Sequence, residues 1–476
     1  MKIRKTKIVA TLGPASSSPA IIRRLVKQGV DVFRFNFSHS SHEFVAETAA
    51  LIHGIASELN RQIALLGDLQ GPRVRLGRLE KRETLELRRG EIIELIPSGE
   101  ISGHGRIPVD YPNLTADIVR GDRILINDGL VELKVLEVMP DSVRCRVVRG
   151  GEISDHKGLT LPSNRLSLPF LSSTDRKDID FAITVGLDFL ALSFVRRVSD
   201  IDDVLAYLGA RTKKLGLIAK IESPEAIKNI DRLLPHVGGV MIARGDLAVE
   251  YSLADIPILQ KILIGKAREQ GLPVITATQM LESMVENPTP TRAEATDIAN
   301  AVLDGSDALM LSAESAVGAY PVEAVRTMNS IAGKVEESSF WRPGIDFEAN
   351  NQIAVPEALA RAAALTGWDI RAKAIVAFTL SGRTAAALSN ERPRLPVFAL
   401  TPDKAVARRL ALYSGVIPLV CPLGTRVEEM IHVGEQVLLE STGLKIGDRV
   451  VLIHGTTPFT GGTNLIKVHI LGHSEK

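Results

Sequence analysis

Charged and hydroxyl side chains recur where the apolar runs of this 476-residue chain stop. In Arg34-Phe35-Asn36-Phe37-Ser38-His39 the polar residues alternate, so an extended backbone turns Arg34, Asn36 and Ser38 to one side. Lys220-Ile221-Glu222 sets a cation and a carboxylate in the same relation. Asp68, Ala243-Arg244-Gly245-Asp246, Thr278-Gln279 and Ser312-Ala313-Glu314 close further runs. The set holds carboxylates, cations and hydroxyls, with no histidine–cysteine constellation. Glu222 and Asp246 suit a hard divalent ion, Mg²⁺ or in its place Mn²⁺, which takes one or two carboxylates and fills its shell with water and substrate. Arg34 and Lys220 beside it would face an anionic substrate, with phosphate the obvious candidate. Taken singly, each group is more simply a solvated strand end, and Lys220 with Glu222 a plain ion pair. A lysine flanked by carboxylates stays protonated. That favours a cation stabilising developing negative charge over the neutral Schiff-base lysine of a barrel aldolase.

For these groups to act together, the elements that carry them must bring their ends to one place. Ile8-Val9-Ala10-Thr11, Val32 to Phe37 and Ile63-Ala64-Leu65-Leu66 read as strands. Between them lie helical stripes, the first opened by Ser18-Pro19 as cap and first-turn proline. From Gly71 to about Leu166 the stripes vanish. Short alternating stretches punctuated by Asn127-Asp128-Gly129 and Gly150-Gly151 predict a small antiparallel β-domain inserted into the series. The alternation then resumes with strands at Leu187–Phe194, Leu217–Lys220, Val240–Ala243, Val274–Ala277 and Ala308–Leu311. Three strands and five make eight, so a (β/α)8 barrel is expected, with its chemistry at the carboxyl ends of the strands. A third unit follows Phe340-Trp341-Arg342-Pro343-Gly344, with an open α/β sheet. The expected division is 1–70 with 167–342 for the barrel, 71–166 for the insertion and 343–476 for the C-terminal unit.

Composition narrows the function classes. Lys plus Arg is 57 against 56 for Asp plus Glu, a formal charge of +1, which lacks the footprint of a nucleic-acid or membrane-surface binder. Hydrophobic residues at 45% with 24% charged describe an ordinary globular chain whose cores, at 4% aromatic, are aliphatic. The two cysteines, Cys145 and Cys421, cannot make a disulfide framework or a cysteine zinc site and read as buried, inert thiols. No apolar run is long enough to span a bilayer, and the basic start leads into no signal-peptide core, so the cytoplasm is expected.

The stretches Arg34–His39, Ala219-Lys220-Ile221-Glu222, Met241–Asp246, Thr276–Met284 and Pro290-Thr291-Arg292-Ala293-Glu294 closely resemble the pyruvate kinase family, and the resemblance runs almost end to end. It implies phosphoryl transfer from phosphoenolpyruvate to ADP. Lys220 would be the transition-state stabiliser and Arg34 a second cation on the moving group, with Mg²⁺ on Glu222 and Asp246. The substrate carboxylate would meet the Ala243-Arg244-Gly245 turn. Thr278 would contact substrate and, with Ser312 and water, join the relay that protonates the enolate. The inserted domain would act as a lid over the nucleotide, held by Arg75 and Lys157 with Asn36, His39 and Asp128 in the same space.

Asn36, Ser38, Asp68 and the Leu69 carbonyl match the family's K⁺ site, yet Arg73 stands where K⁺-dependent relatives usually carry Glu. The expectation is that Arg73 supplies the positive charge and that K⁺ is dispensable. In the C-terminal unit, Thr379, Ser381, Gly382, Arg383 and Thr384 form an anion cradle at a helix start, where the family binds effector phosphates; an ordinary capped helix is the alternative. The loop His454–Gly462 has no Lys or Arg. A monophosphorylated activator, a sugar phosphate or AMP, is therefore expected over a bisphosphate. The family is usually a homotetramer. A catalytically dead scaffold is disfavoured, because none of the expected active-site charges is missing.

Overall fold

The structure, a computed structural model, describes residues 4–79, 84–97, 105–127, 129–161, 166–341, 354–424, 426–455 and 463–473. Eight parallel strands close a barrel: Lys7–Thr11, Val32–Asn36, Ala64–Asp68, Phe189–Leu192, Gly216–Ile221, Gly239–Ala243, Val274–Ala277 and Ala308–Leu311, the last pairing with the first. Helices cover the outside and side chains fill the inside, so these strands are apolar on both faces. The interior holds Val9, Leu66, Ile218, Met241 and Ile275, and it is stoppered at its base by Ala411 and Leu412 of the C-terminal unit. The first helix, Pro19–Gln28, starts where Ser18 Oγ accepts from Ile21 N and ends at Gly29, whose φ of 105° a side chain would resist.

The expected strand over Leu187–Phe194 is shorter, Phe189–Leu192. Phe194 has left the extended conformation for φ 58°, which aims its backbone N–H at Glu222. That turn belongs to the site rather than to the sheet.

Between the third and fourth barrel strands lies a seven-stranded sheet running from Val74–Arg75 to Arg106–Val109. Its two edges meet through a bridge between Leu76 and Val109, so the sheet curls into a small barrel. The antiparallel expectation needs one correction. Ile92–Pro97 and Arg106–Val109 run parallel, because closing the curl brings both in side by side along one direction. Cys145 is buried in this core, where desolvation pushes its thiol up to about 12, as an inert group requires. Asp128 lies outside the described residues.

The C-terminal sheet has the order Val416–Val420, Val397–Thr401, Ala374–Phe378, Arg449–Gly455, Thr463–Ile470, parallel except for the last strand. The chain winds outward from Ala374–Phe378 and then crosses back beyond it. The crevice at its carboxyl end is therefore the switch point at which open α/β sheets bind ligands. Thr456–Gly462 of the adjoining loop lie outside the described residues. Among the described residues no helix is long and apolar enough to cross a membrane.

Candidate active site

Neighbouring barrel strands deliver their last residues to one rim. Arg34, in the second strand, donates from Nε to Asp68 Oδ2 at 2.8 Å, and its Nη2 lies 2.6 Å from the same oxygen. Its Nη1 reaches the Thr11 hydroxyl of the first strand at 2.9 Å. Lys220 Nζ stands 3.2 Å from Asp68 Oδ1 and 2.9 Å from Glu222 Oε1, and donates to Ser193 Oγ at 2.7 Å. Five strands thus meet in one charged cluster with almost no exposure.

The electrostatics follow. Burial alone would pull the Lys220 pKa down, but Asp68, Glu222 and Asp246 more than offset it and hold the ammonium above its usual value. Burial would likewise raise Asp68, and Lys220 and Arg34 together hold its carboxyl below the usual range. Each keeps the other charged.

Glu222 is the informative member. Phe194 N donates to its Oε2 at 2.7 Å, while Oε1 is buried and accepts no hydrogen bond, Lys220 being near it but off line. The charge of that oxygen is balanced by the Lys220 ammonium 2.9 Å away, and a divalent ion would share it. Asp246 lines the same cleft as Glu222, between the barrel rim and the inserted domain. The donor set, one buried and one partly exposed carboxylate at an open cleft, fits Mg²⁺ better than a metal that demands a full protein cage.

Thr278 follows the seventh strand at φ 68°, with Gln279 at 54°. A β-branched residue there is strained, and such strain gathers at functional sites. The strain fixes its hydroxyl, which accepts from Gly245 N at 2.7 Å and donates to the Ala277 carbonyl at 2.6 Å.

The pyruvate kinase barrel-domain family matches residues 3–325, and the pyruvate kinase alpha/beta-domain family matches 357–469. The chain belongs to the pyruvate kinase family. It is accordingly a phosphotransferase. It is 42% identical over 473 residues to the pyruvate kinase of Mycobacterium tuberculosis, covering 99% of both chains. It is 43% identical over 471 residues to that of Agrobacterium vitis, with 98% of each covered. Against that of Geobacillus stearothermophilus it is 41% identical over 473 residues, covering 98% of this chain and 80% of that one.

Within this pyruvate kinase frame, two arginines have definite partners. The Arg244 guanidinium is turned away from the rim, bonded to Asp297 Oδ1 at 2.7 Å and to the Thr278 carbonyl at 2.7 Å. Only its backbone is left to face a substrate. Arg73 reaches Asp246, with Nη2 at 3.7 Å from Oδ1, and lies over the Phe194 ring at 5.2 Å. It therefore places its charge beside Asp246 at the rim. At the expected K⁺ position, Asn36 Oδ1 accepts from Ser38 N at 3.2 Å and the Leu69 carbonyl accepts from Ser193 Oγ at 2.7 Å.

Glu314 is a brace. It is fully buried and accepts from Leu281 N at 3.0 Å and Ser312 N at 2.7 Å, tying two rim loops together. In the lid, Arg75 pairs in register with Gly158 and Leu76 N donates to the Lys157 carbonyl, so Arg75 and Lys157 share one sheet edge. His39 is exposed just after the second strand. In the expected anion cradle of the C-terminal unit, Thr379 Oγ1 accepts from Gly382 N at 2.9 Å, and Thr384 bonds Thr463 at 2.7 Å. Ser381 and Arg383 point to solvent.

Sequence reasoning missed Thr11 and Ser193. Thr11 ends the first strand and Ser193 directly follows the fourth, the two for which no rim residue was named. Applying the strand-end rule to every strand would have found them.

Proposed function

We propose that the chain transfers the phosphoryl group of phosphoenolpyruvate to ADP, giving pyruvate and ATP. The observation that carries this is the buried Lys220 ammonium, fixed among Asp68, Glu222 and Ser193 at the rim of the barrel. In the reaction the bond from phosphorus to the enol oxygen breaks and one to a β-phosphate oxygen of ADP forms. The enolate then takes a proton at its methylene carbon. Positioning and charge neutralisation do nearly all of this work.

Lys220 and Arg34 stabilise the phosphoryl group in transit. Glu222 and Asp246 hold Mg²⁺ or Mn²⁺, which when bound neutralises substrate oxygens as a Lewis acid. The Ala243-Arg244-Gly245 backbone takes the substrate carboxylate, which competes with the Thr278 hydroxyl for the Gly245 N–H. Thr278, freed by that exchange, orients the substrate and joins Ser312 and water in delivering the proton. Asn36, His39, Arg75 and Lys157 hold the nucleotide, with 71–166 as lid over the barrel formed by 1–70 and 167–342. Asn36, Ser38, Asp68 and Leu69 make the monovalent site. A guanidinium beside Asp246 in Arg73 supports activity without K⁺. Residues 343–476 carry the effector unit. The switch-point crevice, with exposed Ser381 and Arg383, supports a phosphorylated activator at Thr379–Thr384, a sugar monophosphate or AMP. The reading brings with it a cytoplasmic homotetramer.

A coupled assay with phosphoenolpyruvate, ADP and Mg²⁺, repeated without K⁺ and with each effector at subsaturating phosphoenolpyruvate, tests all of this. No ATP formation overturns the activity. A K⁺ requirement of about tenfold or more overturns the role of Arg73, and a tighter response to fructose 1,6-bisphosphate overturns the monophosphate preference.

A further inference from the structure

Two short linkers join the inserted domain to the barrel: residues 69–73 lead out from the third barrel strand, and 166–172 lead back into the helix Ser173–Val185. One carboxylate meets both. Asp175, in the first turn of that helix, is wholly buried, and its Oδ2 accepts from Ser172 N at 3.0 Å and from Ser172 Oγ at 2.6 Å. Ser172 Oγ accepts in turn from Asp175 N, which completes a capping box. Capping needs only that one oxygen. The other, Oδ1, accepts from Gly71 N at 3.2 Å, across 104 positions of sequence. The donors to Asp175 are thus two backbone N–H groups and a hydroxyl, with no cation among the described residues. Burying a carboxylate on those terms is unfavourable, and capping a helix does not require it.

What Gly71 touches gives the second oxygen a role. Its φ is 69°, and a Cβ added there would lie 2.7 Å from the Ser193 carbonyl oxygen, so the outgoing linker is pressed against the residue that follows the fourth strand. Two residues earlier, Leu69 N donates to the Ala191 carbonyl at 3.0 Å, and the Leu69 carbonyl accepts from Ser193 Oγ at 2.7 Å. A serine hydroxyl has one proton to give. Directed at Leu69, it leaves the oxygen lone pairs of Ser193 to Lys220 Nζ, which donates to them at 2.7 Å. With the linker withdrawn, the acceptor remaining to that hydroxyl is Asp68 Oδ1 at 3.3 Å, itself a partner of Lys220. We propose that Asp175 is a positioning residue: by holding Gly71 it keeps the Leu69 carbonyl on Ser193, and so fixes the acceptor that orients the Lys220 ammonium. The inference rests on the role of Lys220 in the proposed phosphoryl transfer. It makes the seating of the inserted domain a condition of that role, because the returning linker ends, through Ser172, on the same carboxylate.

The test compares Asp175→Asn, Gly71→Ala and Ser193→Ala in the full-length protein. The amide introduced by Asp175→Asn keeps an oxygen for Ser172 and turns N–H groups toward Gly71 N, donor against donor, so the cap survives and the linker contact breaks. Hydrogen exchange read by mass spectrometry needs no turnover. In Asp175→Asn it should quicken over 69–73 and 193–195 as well as at the helix start. Faster exchange at the helix start alone overturns the inference and leaves Asp175 a cap. In the coupled assay Asp175→Asn should lower kcat about tenfold, with phosphoenolpyruvate KM changed by less than about threefold. In the Ser193→Ala background the same substitution should change kcat by less than about twofold, since its route to Lys220 is already cut. Equal losses in both backgrounds overturn the coupling. Gly71→Ala, which pushes the linker off Ser193 and leaves the Asp175 side chain in place, should lower kcat in the same way, and parental kcat in that variant also overturns it. A parent chain that makes no ATP defeats the proposed reaction instead, and the exchange pattern alone then decides whether Asp175 holds the linker on Ser193.

Discussion

At the base of the barrel, Arg392 lays a two-pronged fork on Asp307, Nη1 to Oδ1 at 2.7 Å and Nη2 to Oδ2 at 2.9 Å. The same carboxylate accepts from Val274 N and Ser414 N, so four donors satisfy it. At the rim, Lys220 stands among two carboxylates and a hydroxyl, Glu222 Oε1 has the Lys220 ammonium beside it but accepts no hydrogen bond, and Phe194 and Thr278 hold left-handed backbone. Both ends bury charge at strand termini. At the base the Asp307 carboxylate is completed inside the protein and locks the C-terminal unit to the barrel, although Arg392 Nε keeps no partner. The rim is less completely bonded and more strained, which serves a ligand that brings its own charges. The division agrees with the general rule that a barrel's carboxyl face works and its amino face stabilises.

The comparison breaks most visibly if a rim charge proves to be structural. Lys220→Met should lower kcat by about a thousandfold, near 4 kcal/mol of transition-state stabilisation, with a smaller change in phosphoenolpyruvate KM. Initial rates in the coupled assay measure it. A kcat within a few-fold of the parent would mean that Lys220 is only the counter-ion of Asp68 and Glu222.

The base should respond the other way. Asp307→Ala strands the Arg392 guanidinium, which is nearly inaccessible, and should cost about 3–5 kcal/mol of stability. Urea unfolding measures the loss, and kcat per folded molecule should stay near that of the parent. A large kcat loss with full stability would show that the base transmits to the rim and would blur the contrast.

The same difference explains what could be read in advance. Arg34, Lys220, Glu222 and Asp246 were legible because each lies within or just past an apolar strand and the barrel topology makes strand ends converge. The base pairs were not, because Asp307 meets Arg392 across 85 positions and Asp188 meets Arg408 across 220, and nothing local marks either partner. Asp188 looks like part of its strand. The anchoring of the Arg244 guanidinium was hidden for the same reason: its partner Asp297 lies 53 residues on. The parallel pair in the lid escaped because alternation reports which face a residue occupies and says nothing of strand direction.

Asp188 offers the finest test, since it belongs to the base yet does not fully share the Asp307 pattern. Desolvation first, only partly countered by Arg408 and the Leu65 N–H, pushes its carboxyl from 3.8 up to about 6. A carboxyl raised in the folded state holds more protons folded than unfolded between those values. It therefore contributes stability at low pH that is lost as pH climbs from about 4 through about 6, at most about 1.4 kcal/mol per pH unit. Asp188→Asn keeps an acceptor for Leu65 N and removes the titration. The difference in unfolding free energy between parent and variant should slope with pH across that window and level off above it. A flat difference would mean that Arg408 holds Asp188 ionised throughout, making its carboxylate as well paired as that of Asp307.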